Sequence, residues 1–428
     1  MTDRDVYLID GARTPFLKVR GKRGPFTPVD LAVQCGRPLL ARQEVAPGAF
    51  DMVILGCVNV IPDEMNPARI AALRLGMGAA MPAFTVQINC GSGMQSIDTA
   101  FRYIRQGRGD LILAGGTEAL SHAPLVLRDR AVDWLAGMRT ASGLLEVASS
   151  AVKIRPGDLK PAVGLERGLT DPITDLGMGQ TAEILAHHFH ITREMADSYA
   201  ADSHTRLAAA QEAGVLADEV LPAFARDGQV HDRDDGLRPD STPETLARLK
   251  PTFEKPFGRV TAGNASQVTD GASWCVLASG AAVERHKLRP VARIVDSQWA
   301  GLDPAVMGLG PVMAVTPLLQ RRELGAADID LWEINEAFAA QVLACLAAWG
   351  DGEFCRDVLG LQAPFGDLPR DRVNIHGGAI ALGHPVGTSG NRIVLHLANA
   401  LRRTGKRRGV ATECIGGGQG GAMLLEAA

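Results

Sequence analysis

FTVQINCGSGMQSIDTAFRYIRQGRGDLILAGG, residues 84–116, is the stretch that decides the fold. It runs from an apolar, β-branched segment through Cys90 and Ser92-Gly93. A helical pattern follows, with Ile97, Phe101 and Ile104 on one face, and then a second apolar strand that closes on Gly115-Gly116. The same outline recurs near the other end of the chain. There His384 precedes Ser389-Gly390, a helix through Val394, Leu397 and Leu401, and the strand GVATECIGGG, residues 409–418. Each copy is a reactive residue, a Ser-Gly, a helix, a strand and a Gly-Gly. The pattern predicts a duplicated α/β half; the alternative is that any two βαβ units share this outline.

Further from these copies, DMVILGCV (51–58) and IDLWEI (329–334) read as buried strands, and MNPARIAALRLGM (65–77) as a helix. ALRRTG closes a helix on Gly405 with Arg402 and Arg403 in its last turn. Strands alternating with helices predict an α/β fold. Residues 121–250 hold little strand signal. TREMADSYAADSHTRLAAAQEAG reads as a helix, with Thr192 as N-cap and Gly214 just past its end. ARDGQVHDRDDGLRPDST reads as a polar loop. The expected organisation is an N-terminal half at 1–120 plus 251–285, an inserted and mostly helical loop domain at 121–250, and a C-terminal half at 286–428. RHKLRP (285–290) would link the halves.

A chain of 428 residues exceeds one ordinary core, and 46% hydrophobic with 21% charged residues is a globular composition. A net charge of −4 with no block of like charges argues against nucleic-acid binding. The start, MTDRDVYLIDGARTPF, has two acids in its first five residues and no apolar core of a signal peptide, and no apolar run reaches ~18 residues, so neither a leader nor a membrane span is expected. The seven cysteines are odd in number and form no C-x-x-C. That argues against a disulfide framework or zinc site and fits a reducing cytoplasm, with most of the thiols acting as small buried hydrophobes.

Four segments offer candidates for chemistry; taken singly, Cys90 reads more readily as a buried structural thiol, and His384 equally as a structural loop histidine. Cys90 lies where a strand gives way to a helix; the helix dipole there favours a thiolate, and nearby backbone N–H groups can hold an oxyanion. The small residues beside it would let a substrate approach. His384, between Gly383 and Pro385 in NIHGGAIALGHPVGTSG (374–390), suits a base aimed into a site. His376 is a second candidate with no evident partner. Cys414, which opens CIGGGQGG (414–421) where a strand runs into a glycine turn, offers a second thiol for acid–base or redox chemistry. Asn335, in NEAFAA (335–340), could position a water or a carbonyl.

Together these resemble the thiolase family, and the resemblance runs nearly the length of the chain. DGARTPF (10–16), CGSGMQSI (90–97), LAGGTEALS (113–121), MGQTAE (178–183), AGNASQVTDGA (262–272), NEAFA (335–339), GGAIALGHPVGTSG (377–390) and CIGGGQG (414–420) are similar to thiolase signatures in the expected order. The resemblance implies a five-layered αβαβα duplication with a loop domain over the site. It implies an acyl thioester on Cys90, His384 as its proton acceptor, and Asn335 holding a water in an oxyanion hole. Cys414 would be the acid and base, and the backbone N–H groups of Cys90 and Gly416 a second oxyanion hole. Ser266 would contact the pantetheine arm of coenzyme A, and Met178 would line the same tunnel. No metal and no permanently bound cofactor is implied; coenzyme A is a co-substrate, acyl-CoAs are the ligands, and the assembly is a homodimer or homotetramer.

The insertion, KIRPGDLKPAVGLERGLTDPITDLGMGQTAE among it, resembles that of trifunctional fatty-acid-oxidation β-subunits, which would imply a hydratase/dehydrogenase partner; the GHP and CIGGG segments look more like the acetoacetyl-CoA branch. Residues 125–155 are read as a lid packed on the core, or as an amphipathic membrane- or partner-binding element. Arg128, Arg130, Lys153 and Arg155 could meet coenzyme A phosphates or form a solvated face. Two other functions remain open at this stage. A decarboxylating β-ketoacyl synthase-like enzyme would not need Cys414, and a non-catalytic acyl-CoA-binding protein would not need all four polar residues.

Overall fold

The computed structural model describes residues 4–151 and 154–428. Nine strands form one hydrogen-bonded path: β1 (Val6–Arg13), β2 (Met52–Gly56), β3 (Ala83–Val86), β4 (Leu111–Ala119), β5 (Thr269–Ser279), β6 (Ala292–Gly301), β7 (Leu331–Ile334), β8 (Arg408–Ile415) and β9 (Gln419–Ala427). Their order is β7-β8-β9-β6-β1-β5-β4-β2-β3, and the short strand Leu17–Lys18 adds to β5. The helices that matter here are α1 (Pro28–Ala41), α2 (Pro67–Arg74), α3 (Ser92–Arg105), α4 (Asp129–Thr140), α5 (Leu144–Ala151), α6 (Met178–His188), α7 (Arg193–Glu212), α8 (Gly310–Arg321), α9 (Ala339–Gly350) and α10 (Val386–Thr404).

The halves repeat one another in pairing as well as in order. β2 and β4 are parallel, β4–β5 and β5–β1 antiparallel; β7 and β8 are parallel, β8–β9 and β9–β6 antiparallel. Val373 bridges Trp332 in parallel, where β3 lies beside β2 in the first half. The first strand of each half carries the same irregularity. The register of β1 on β5 slips between Leu8 and Asp10, and that of β6 on β9 slips between Ile294 and Asp296. Each slip is a one-residue bulge, and each bulge is locked the same way. Asp10 accepts from the Gly11 N–H and from Arg42 just past α1; Asp296 accepts from the Ser297 N–H and from Arg321 and Arg322 at the end of α8. A shared bulge with a shared clamp favours duplication over a generic βαβ likeness. The two first strands pair across the pseudo-dyad, Val6 with Ile294 and Leu8 with Ala292.

The cores follow the layers. Leu31, Leu39 and Ala71 of α1 and α2 pack under one half-sheet with Trp274 of β5. Val312 and Val315 of α8 and Val342 of α9 pack under the other with Trp332. Between the half-sheets, α3 and α10 share one buried cluster, Met94, Ile97 and Phe101 with Ile393, Val394 and Leu397. That is helix, sheet, helix pair, sheet, helix, the layering the resemblance implied. Of the cysteines, Cys35, Cys57, Cys275, Cys345 and Cys355 are buried and free.

Within the insertion, Thr192 caps α7 by accepting from the Met195 N–H, and Gly214 takes a left-handed φ of 68° two residues past its end, as the sequence predicts. Among the described residues of 125–155, the expected packing on the core is not what forms. α4 buries only Ala131 and rests against α5, while Leu125, Val132 and Leu135 are exposed. Arg130 faces Asp158 at 3.7 Å; Lys153 lies outside the described residues. Among the described residues no helix is long and apolar enough to cross a membrane.

Candidate active site

Cys90 follows the last strand residue of β3 through a tight turn. Asn89 takes a left-handed φ of 47°, and the Ser92 hydroxyl accepts from the Ile88 N–H at 2.9 Å and donates to the Asn89 carbonyl at 2.7 Å. The glycines around Cys90 serve packing, which corrects the expectation that they open room for a substrate. A Cβ on Gly91 would lie 2.5 Å from Ile415, and one on Gly93 would lie 2.6 Å from the Asn391 nitrogen on α10. The expected thiolate is also overturned. Burial pushes the Cys90 thiol up to about 11, with a further rise from Glu413; a hydrogen bond from the Gly416 N–H and one from its own N–H only partly offset this. Desolvation outweighs the helix terminus, so the resting residue is a thiol.

His384 is set by a turn only glycine permits. Gly383 has φ 109°, and a Cβ there would sit 2.2 Å from Thr269. The His384 N–H donates to the Gln267 carbonyl at 2.9 Å, and Nδ1 lies 2.6 Å from Ser389 Oγ. That hydroxyl also reaches the Pro385 carbonyl at 3.3 Å. With the serine donating to Pro385, Nδ1 carries the proton and Nε2 is the bare nitrogen. Nε2 is buried and has no hydrogen-bond partner. Burial, then Arg392, lowers the imidazole to about 4, so it is neutral at rest.

Asn335 follows β7, with its N–H on the Thr412 carbonyl. Its side chain is fully buried, and both Oδ1 and Nδ2 lack partners. Buried amides are nearly always satisfied, so an amide with two orphaned ends marks a place where a ligand or water binds. Cys414, the penultimate residue of β8, lies in an apolar nest of Met307 and Ala337, with Met178 and Phe338 beside it. Burial raises its thiol well above the ordinary range, and charge on Cys90 raises it further. Met178 also touches the space over Gly416, since a Cβ on Gly416 would meet its sulfur at 3.3 Å.

Ser266 sits in a loop that staples two of these segments. Ala265 bridges Phe338, the Ser266 N–H donates to the Ala337 carbonyl, and the neighbouring Gln267 holds His384. The structure thus links Cys90 to Gly416, Gly416 to Met178, Met178 to Cys414 and Ala337, and Ala337 through Ser266 to His384. His376 does have a partner, contrary to the reading above: its Nδ1 lies 3.1 Å from Nε2 of His396, whose Nδ1 meets Glu219 at 2.9 Å.

Two carboxylates that the sequence reading passed over hold this frame. Glu336 accepts from Tyr199, Ser203 and Asn374, so the NEAF segment clamps α7 to the loop before His384. Glu118 accepts the N–H groups of Val58, Asn59 and Gly387, tying the His384 turn to the first half. The signal for Glu118 was its place in an otherwise small and apolar strand, LILAGGTEA.

Residues 6–281 match the family model "Thiolase, N-terminal domain", and residues 288–427 match "Thiolase, C-terminal domain". The chain is 40% identical to the β-ketoadipyl-CoA thiolase of Pseudomonas aeruginosa, with 99% of each chain covered. It is 38% identical to human mitochondrial 3-ketoacyl-CoA thiolase, over 99% of this chain and 98% of that one. The crystal structure of that human enzyme in complex with CoA superposes with a TM-score of 0.86 at 38% identity, covering 99% of this chain and 98% of that one. The Bacillus anthracis acetyl-CoA acetyltransferase superposes with a TM-score of 0.87 at 36% identity over 100% of both chains. Two family models that together span nearly the whole sequence, on a fold duplicated down to its bulges, establish that this chain belongs to the thiolase family.

Proposed function

We propose that this acyltransferase cleaves 3-ketoacyl-CoA with coenzyme A, or condenses acyl-CoA with acetyl-CoA in reverse, through a thioester on Cys90. In cleavage the Cys90 sulfur adds to the 3-keto carbon while His384 Nε2 takes the thiol proton. The bond between C2 and C3 then breaks, leaving the acyl group on Cys90 and the enolate of acetyl-CoA. Cys414 gives that enolate its proton and acetyl-CoA leaves. Cys414, left as a thiolate, takes the proton of the incoming coenzyme A thiol as its sulfur attacks the thioester carbonyl; the shortened acyl-CoA leaves, and Cys90 is released as a thiol with the proton that His384 held. Condensation runs the same steps backward, with Cys414 as the base for the acetyl methyl group.

The neutral resting states fit this sequence. A thiol raised to about 11 and an imidazole lowered to about 4 do not form a stable ion pair, so the proton moves as the sulfur attacks. Negative oxygen is met twice. The N–H groups of Cys90 and Gly416 form one oxyanion hole, and His384 with a water on Asn335 forms the other. Ser266 and Met178 flank the route of the pantetheine arm. The single observation that carries the reading is the trio of buried, partnerless atoms, His384 Nε2 with Asn335 Oδ1 and Nδ2, in the same linked site as two thiols. The apolar walls around Cys414 suit an aliphatic acyl group. The edge strand β3, half-buried and hydrogen-bonded on one side only, supports assembly as a homo-oligomer.

Incubation with acetoacetyl-CoA or a longer 3-ketoacyl-CoA and coenzyme A tests the proposal. The expected result is loss of the ketoacyl thioester and an acyl adduct on Cys90 by mass spectrometry. Neither cleavage nor adduct with any chain length would overturn it.

A further inference from the structure

The residue before the nucleophile does more than turn the chain. Asn89 belongs to the first half, yet its side-chain Nδ2 donates to the carbonyl of Gly416 in the second half at 2.8 Å. Gly416 opens the three-glycine loop between β8 and β9, where Ile415 pairs with Gln419 and Gly417 and Gly418 take φ of 90° and 80°. Three consecutive glycines have the widest conformational freedom a chain can offer, so the orientation of their N–H groups must be imposed from outside. The strand ladder fixes Ile415 on one side. The Leu302 N–H holds the Gly418 carbonyl at 2.8 Å on the other. Between them, Asn89 is the side chain that holds the Gly416 carbonyl.

The cost of this arrangement is visible at Asn89 itself. It adopts a left-handed backbone at φ 47°, a conformation asparagine tolerates better than other non-glycine residues. Its own carbonyl accepts the Ser92 hydroxyl and N–H, which anchors the turn carrying Cys90. One residue therefore fixes the nucleophile by its backbone and the facing loop by its amide.

We infer that Asn89 is a positioning residue that clips the Gly416 loop onto the nucleophile turn, holding the Gly416 N–H against the Cys90 sulfur and against the oxygen of the thioester formed there. This rests on the assignment of Cys90 and Gly416 above. It predicts a role confined to acyl transfer at Cys90, with coenzyme A binding unaffected.

Asn89→Gly and Asn89→Asp separate the backbone role from the amide. Glycine keeps the left-handed turn and loses the donor; aspartate keeps the size and turns a donor toward a carbonyl into an acceptor. Both should lower kcat about tenfold, less than the ~100–1000-fold of deleting an oxyanion donor outright. KM for acyl-CoA should stay within about twofold, Asn89→Gly should keep the wild-type thermal midpoint, and the iodoacetamide alkylation profile of Cys90 should move to higher pH. Wild-type kcat in both variants overturns the inference. So does a loss of kcat with an unchanged alkylation profile, because a merely structural residue would give that result. The wild-type protein is the control for the underlying assignment: if acetyl-CoA leaves no acetyl group on its Cys90, the thioester reading fails, and this inference falls with it.

Discussion

Gly93 of α3 and Gly390 of α10 meet backbone to backbone across the centre of the molecule. A Cβ on Gly93 would lie 2.6 Å from the Asn391 nitrogen and 2.9 Å from the Thr388 carbonyl oxygen; a Cβ on Gly390 would lie 2.6 Å from the Met94 nitrogen. Each is the glycine of the Ser-Gly pair that both halves share. The repeat in the sequence is thus a repeat of one helix crossing, and the crossing brings the start of α3, beside Cys90, against the start of α10, beside His384.

Alanine at Gly93 or Gly390 is expected to destabilise the protein by about 3 kcal/mol, since the atoms that meet Gly93, and the Met94 nitrogen behind the Glu413 carboxylate that meets Gly390, are backbone and cannot rotate away. Thermal or urea denaturation measures this. The two substitutions touch one contact, so the double variant should cost clearly less than the sum of the singles. A Gly93→Ala protein as stable as wild type would refute the crossing.

Much of this architecture was legible because the repeat pairs residue types that seldom recur together. Cys90 and His384, each ahead of a Ser-Gly and an amphipathic helix, announced two copies of one unit. What the sequence did not show was which force dominates at each residue. The position of Cys90 next to α3 suggested a stabilised thiolate, yet desolvation pushes the thiol up instead. The glycines suggested open space, yet they are filled by the other helix. Glu118 and Glu336 stayed hidden because their partners, Gly387 in one case and Tyr199 and Ser203 in the other, lie far along the chain. Such long-range hydrogen bonds leave no local pattern.

The neutral thiol and imidazole give a pH signature. Burial pushes the Cys90 thiol up to about 11, so alkylation by iodoacetamide should keep accelerating through pH 8–10 instead of levelling off near neutrality. His384→Asn should lower kcat/KM by about 100–10,000-fold and barely alter the alkylation profile, because the resting thiol owes its proton to burial and not to the histidine. A profile that levels off below pH 7 in the wild type would mean a resting ion pair.

Cys414→Ala separates the two half-reactions. Acetyl-CoA should still acetylate Cys90, because that step needs only the nucleophile, His384 and the oxyanion hole. Condensation should fall by about 100–10,000-fold, because no other group in the nest of Met307, Ala337, Met178 and Phe338 can carry a proton. Mass spectrometry of the acetyl-enzyme and the rate of acetoacetyl-CoA formation give the two readouts. Full condensation by this variant would remove Cys414 from the mechanism.

Glu118 sets a limit on pH from the structural side. Its carboxyl is raised to about 7 by burial, against three backbone N–H groups that favour the anion. A carboxyl raised on folding adds stability below its unfolded value of 4.5, and that contribution fades as pH climbs through about 7. Glu118→Gln abolishes this titration. It also replaces one acceptor oxygen by an NH2 group, which must face either the Asn59 N–H or the pair from Val58 and Gly387. An unpaired buried donor costs about 1–3 kcal/mol. The Gly387 bond is the one tie between this carboxyl and the His384 turn, so a side chain that turns its amide toward Gly387 loosens that turn. The expected variant is less stable than wild type, by more at pH 5 than at pH 8, and has a kcat reduced about tenfold with KM little changed. Denaturation at the two pH values and steady-state thiolysis measure both. Equal destabilisation at pH 5 and pH 8 would show that the wild-type carboxyl does not titrate between them, and would leave the anion as the form that holds Gly387.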